Sequence, residues 1–155
     1  MMKIPRSKFD MVIDILCYLC LFGTAIFLLV IWHSIPQEIL GHYNAAGEID
    51  KMSNKNTVWI VYGSAWIMYI FMRIVEHFPQ IWNTGVQVTE ENRERVYRVL
   101  KNLLGTIKFL CVGAFTFMTI PIATCREMPA WFTPVLLLAM FGSIIWHIYK
   151  LLKIK

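Results

Sequence analysis

Four runs of about 20 predominantly apolar residues fill more than half of this chain, and their length constrains the fold before any other feature does. A helix rising 1.5 Å per residue needs about 20 residues to cross a hydrocarbon core of roughly 30 Å. The runs cover about Met11 to Trp32, Thr57 to Phe78, Leu103 to Ile122 and Ala130 to Tyr149. Only 16% of the 155 residues are charged, against about a quarter in soluble domains. The prediction is an all-α polytopic membrane protein, a bundle of four transmembrane helices forming a single membrane domain over residues 1–155.

Charges inside the runs sit near one edge. Asp14 lies about a turn inside the first run, where its carboxylate is expected to reach the headgroups; Lys108 begins the third, where a long side chain is expected to snorkel back to the interface. Arg73 and Glu76, three apart on one helical face, are expected to pair, with Lys108 as a third member of an inner polar cluster. The middle of the spans is otherwise almost free of ionisable groups, which argues against an ion-coupled transporter. Trp32, Trp59, Trp131, Trp146 and Tyr149 stand near run ends, as an aromatic interface belt requires. The first run is about twice the length of a signal-peptide core and no small-x-small site follows it at Trp32-His33-Ser34, so it is read as a retained helix.

Lys and Arg set the orientation. With both termini cytoplasmic, twelve of the 15 Lys and Arg residues fall inside and three, Lys51, Lys55 and Arg126, outside. This positive-inside bias predicts a multi-pass cell-membrane protein and accounts for the formal charge of +5 without a nucleic-acid partner. Membrane lipid is the partner that composition itself implies. Cys17 and Cys20 form a CxxC within an apolar helix, where thiols act as small hydrophobes, and no disulfide framework is suggested. Gly23, Gly63, Gly105, Gly113 and the Ala139 to Ser143 spacing are expected to allow close approach of helix backbones.

Two connections carry polar patterns. The outer loop, about 33 to 56, contains GHYNAAGEID; the inner one begins irregularly as PQIWNTGVQV. Thr89 then offers an N-cap, and Val96, Val99, Leu100 and Leu103 recur opposite Arg93, Arg95, Arg98 and Lys101. This basic amphipathic helix at 89–102 either lies along the inner leaflet or extends the third helix into water.

The outer pattern IPxxIxxHYNxxGxxDxxxxK (Ile35 to Lys55) and the inner NTGVQVTEEN (Asn83 to Asn92) together resemble the bacterial membrane family called domain of unknown function 1648. That family also forms the N-terminal part of the Sdp immunity proteins, which protect producer cells from a secreted peptide toxin. The resemblance covers about three of the four helices, from the end of the first into the third. It carries over Pro36, His42, Tyr43, Asn44, Gly47, Asp50 and Lys55 in the first motif and Asn83, Thr89 and Asn92 in the second. It implies immunity or ligand recognition through the outer loop, with an extracellular peptide or a neighbouring membrane protein as partner.

The loop chemistry leaves other readings open. His42, Asn44 and Asp50 could supply a nitrogen and oxygens to a metal in a metal-dependent or solute-handling protein, although no spacing matches a standard metal motif. Alternatively, Asn44 and Gly47 serve turns, His42 and Asn44 bond loop backbone, and Asp50 pairs with Lys51 or Lys55. The four His residues are scattered, with His77 and His147 read as interfacial, and no Ser or Cys lies in a nucleophilic arrangement. The expectation is a non-enzymatic protein with no catalytic residues and no assignable cofactor.

Overall fold

A computed structural model describes residues 4–43 and 49–154, leaving aside the side chains of Leu40, His42, Tyr43 and residues 49–51. Among these residues are four helices, α1 (Lys8–Ile31), α2 (Thr57–His77), α3 (Arg93–Ala123) and α4 (Phe132–Leu152). Each is long and apolar enough to cross a membrane, α1 together with the 3-10 turn at Trp32–Ser34 that prolongs it. The chain is an all-α polytopic bundle. Four crossings bring both termini to one end, the termini end; the 32–56 connection lies at the other, the hairpin end.

Local chemistry fixes where α1 starts. Ser7 Oγ accepts from the Asp10 amide at 3.2 Å and the Asp10 carboxylate accepts from the Ser7 amide at 2.8 Å, a reciprocal capping box. Pro134 falls in the first turn of α4, where its missing N–H breaks no helical bond.

The third helix is the centre of the bundle, packing against α1 and α2 and carrying α4 on its remaining side. Ile13, Cys17 and Leu21 of α1 meet Ala65 and Tyr69 of α2 and Val112 of α3 in one apolar cluster. A second cluster, at the hairpin end, joins Leu28, Val58, Tyr62 and Ile122. Large apolar side chains such as Leu29, Ile60, Ile67, Leu138 and Ile145 point outward, which suits helices that face acyl chains.

The amphipathic segment is not a separate helix. It is the first part of one unbroken 31-residue α3, so the choice falls to extension of the third helix. Its apolar face is covered by protein: Val96 and Leu100 pack with Leu151 of α4 and with Trp82, Val86 and Val88 of the preceding connection.

One expectation needs correction. A Cβ placed on Gly23, Gly63 or Gly113 would meet nothing within 4 Å, and one on Gly105 would make ordinary contacts at 3.8 Å. These glycines therefore do not mark close backbone crossings within the bundle. His147 is buried within the bundle, with Nδ1 donating to the Ser143 carbonyl at 2.8 Å.

Candidate functional site

The connection at the hairpin end is an antiparallel β-hairpin, β1 (Glu38–Tyr43) with β2 (Ile49–Asn54). Pairing runs Glu38 with Asn54, Ile39 with Ser53 and Leu40 with Met52, then shifts so that His42 faces Lys51. Gly41 is the extra residue of this bulge. A Cβ there would overlap the Ser53 side chain, so the close approach admits only glycine.

The hairpin is fixed at its base. Ile35 and Ile39 are buried with Leu28 of α1, Val58 and Tyr62 of α2, and Ile122 and Ala123 of α3, so three helix ends hold the loop. The Lys55 amide donates to the Gln37 carbonyl at 2.9 Å, and Lys55 Nζ lies 3.5 Å from the Trp32 carbonyl and 4.5 Å from the Trp32 ring centre. Lys55 therefore ties the loop's end back to α1 through a cation–π contact. Pro36 is exposed just ahead of β1.

Of the other first-motif residues, Asn44 and Gly47 lie outside the described residues, as do the side chains of His42, Tyr43 and Asp50. The metal reading rests on these groups. Among the described residues no cluster of His, Cys, Asp and Glu is arranged to hold a metal ion.

The second motif builds the entry to α3. Asn83 Oδ1 accepts from the Gly85 amide at 3.1 Å in a turn whose Gly85 has φ +65. Thr89 and Asn92 cap each other: Asn92 Oδ1 accepts from the Thr89 amide at 2.8 Å, and Thr89 Oγ1 from the Asn92 amide at 3.3 Å. Asn92 Nδ2 also donates to the Gln87 carbonyl at 3.1 Å, and the residue is buried. These roles are architectural. The two motifs stand at opposite ends of α2, whose 21 residues span about 31 Å.

The densest chemistry lies between the motifs. Lys108, midway along α3, has a side chain only 2% exposed. Its Nζ lies 2.7 Å from Asp14 Oδ1 and 2.8 Å from Glu76 Oε1, with the Tyr69 ring centre at 5.6 Å. Arg73 Nη1 donates to Glu76 at 3.0 Å and stands 3.4 Å from Asp14, which Arg6 also contacts.

The expected Arg73–Glu76–Lys108 cluster is thus present, but Asp14 does not reach for the headgroups and Lys108 does not snorkel. Each is satisfied inside the bundle, because an unpaired charge there would be far costlier than a paired one. A second ionic group pins the N-terminal segment: Asp10 lies 3.3 Å from Arg98 and 3.2 Å from Lys101, while those cations also bond the Pro5 and Ile4 carbonyls at 2.8 and 3.3 Å. Arg98 and Lys101 of the basic face thereby hold the segment ahead of α1.

Cys17, Cys20, Cys111 and Cys125 are all free, and Cys17 is core.

Residues 19–72 match the family model for a domain of unknown function, DUF1648. The match takes in the second half of α1, the whole hairpin and α2 as far as Met72. It stops before Arg73, Glu76, Lys108 and the 83–92 motif, and begins after Asp14, so the ionic cluster belongs to the part of the chain outside it. No curated protein and no solved structure matches the chain.

Proposed function

We propose that this small membrane protein acts by recognition rather than catalysis, with the hairpin loop at 33–56 as the contact element and an extracellular membrane-active peptide as its ligand. The supporting observation is the seating of Ile35 and Ile39 among three helix ends. Anchored there, the two-stranded sheet is presented as an ordered surface, and its outer strand edges are available to an extended peptide. A shallow polar depression of about 300 Å³ beside Gln37, Glu38, Met52, Ser53 and Asn54 adds side-chain contacts.

An immunity role is what the resemblance of the 35–55 and 83–92 patterns to domain of unknown function 1648, the family that also forms the N-terminal part of Sdp immunity proteins, implies. In this reading the protein resides in the cell membrane with both termini cytoplasmic, as the twelve-to-three division of Lys and Arg favours. Tyr43 and Asp50 then meet the ligand, whereas Asn83, Thr89 and Asn92 order the opposite face.

The test is a challenge of cells with and without the protein, and with an Asp50→Ala variant, using membrane-active peptides from related bacteria. Survival conferred by the native chain and reduced in the variant is expected. Equal sensitivity of all strains to every peptide would remove the immunity reading.

A further inference from the structure

Charge within the buried cluster does not balance. Arg6, Arg73 and Lys108 supply three cations; Asp14 and Glu76 supply two carboxylates. Lys108 is sealed between its two partners, so the excess positive charge is expressed at the members that reach the surface. Arg73 is one, its side chain 30% exposed. Its bonds to Asp14 and Glu76 both use Nη1, and Nη2 has no hydrogen-bond partner among the described residues.

That guanidinium opens onto a groove of about 430 Å³ between α1 and α2. Tyr18 of α1 and Ile70, Ile74 and Phe78 beside α2 form an exposed apolar wall, with the Tyr18 and Tyr69 rings 5.2 Å apart at its floor. His77 closes the rim, its Nδ1 donating to the Arg73 carbonyl at 2.8 Å. Arg73 lies about one turn from the end of α2, which sets its head at the depth where hydrocarbon gives way to phosphate.

We propose that this groove is a binding site for an anionic phospholipid, with the phosphate on Arg73, an acyl chain running toward the bilayer centre along Tyr18 and Ile70, and Ile74 and Phe78 flanking the headgroup at the rim. The charge of the cluster selects the occupant: a lipid with a net negative headgroup neutralises the excess, while a zwitterionic one brings its own cation to an already positive site. An arginine fork suits phosphate oxygens, and part of that fork is free. The apolar wall makes the site a lipid site rather than one for free phosphate. The site is separate from the hairpin and does not depend on its recognition role.

Native mass spectrometry of the full chain in detergent tests this, with phosphatidylglycerol, phosphatidylcholine and inorganic phosphate as probes. One phosphatidylglycerol is expected to bind about fivefold tighter than phosphatidylcholine. Arg73→Gln is expected to erase the preference, and Ile70→Trp, which fills the groove without touching the ion pairs, to weaken binding of both lipids. Equal binding of the two lipids by the native chain would overturn the proposal, as would a preference that survives Arg73→Gln. Should Arg73→Gln fail to fold, undiminished phosphatidylglycerol binding by Ile70→Trp would overturn it. Displacement of the lipid by inorganic phosphate, or a dimer free of lipid adducts, would do the same.

Discussion

Lys108 and Asp14, 94 residues apart in sequence, meet at 2.7 Å inside the bundle, and Glu76 reaches the same ammonium at 2.8 Å. One side chain of α3 thereby holds the termini-end halves of α1 and α2. Lys108→Met removes the most deeply buried cation of the cluster and leaves Asp14 and Glu76 to the partly exposed Arg73 and Arg6, a loss of about 3 kcal/mol. The melting temperature in detergent should fall sharply. A variant that melts like the native chain would show that the cluster contributes nothing.

Gly41 should tolerate no side chain. Gly41→Ala drives a methyl into Ser53 and should destabilise the hairpin by about 1 to 3 kcal/mol. Limited proteolysis within 38–54 would accelerate while the helices stay intact, and adding Ser53→Gly would slow it again. Unchanged cleavage of Gly41→Ala would mean that the bulge relaxes freely.

The mutual cap at the start of α3 carries its own expectation. Asn92→Ala removes bonds to the Thr89 amide and the Gln87 carbonyl in a buried setting and should cost about 1 to 2 kcal/mol locally. Hydrogen exchange of the amides at 93–96 reads this directly. They should exchange faster in the variant, with α4 protection as the internal reference; identical protection would contradict the capping role.

Labelling tests the arrangement of the two motifs. In a background with the four cysteines replaced by serine or alanine, Met52→Cys on the hairpin should react with an impermeant thiol reagent in intact cells. Glu91→Cys should react only after permeabilisation. Both positions are exposed, so access and not burial decides the result. Reaction of both in intact cells would refute the four crossings.

How much of this was legible beforehand differs between elements. The four spans were, with most ends displaced by a few residues and the start of the third moved from Leu103 back to Arg93, since helix length and apolar content are local properties of the chain. Thr89 was legible as a residue that orders the entry to α3, since such a bond is settled within one turn, but the N-cap position itself falls to Asn92 and not to Thr89. The hairpin was not: GHYNAAGEID reads as turn chemistry, and strand pairing depends on a bulge at Gly41 that brings two backbones together across the loop. The match over 19–72 likewise covers the hairpin but not the ionic cluster.

Asp14 shows the limit most clearly. Seen along the chain, it is a lone acid one turn into a greasy helix, and headgroup contact is the least costly fate for such a residue. Its partner is chosen by the rotation of α1 about its axis and the depth of α3 beside it, neither of which leaves a trace in residue order. The order of residues settled that the chain crosses a membrane four times, because the hydrophobic thickness is the same for any sequence. Packing of three helices around Lys108 settled which charges meet, with Asp14 and Glu76 on one ammonium and Arg73 beside them, because a buried charge must find its counter-ion in space.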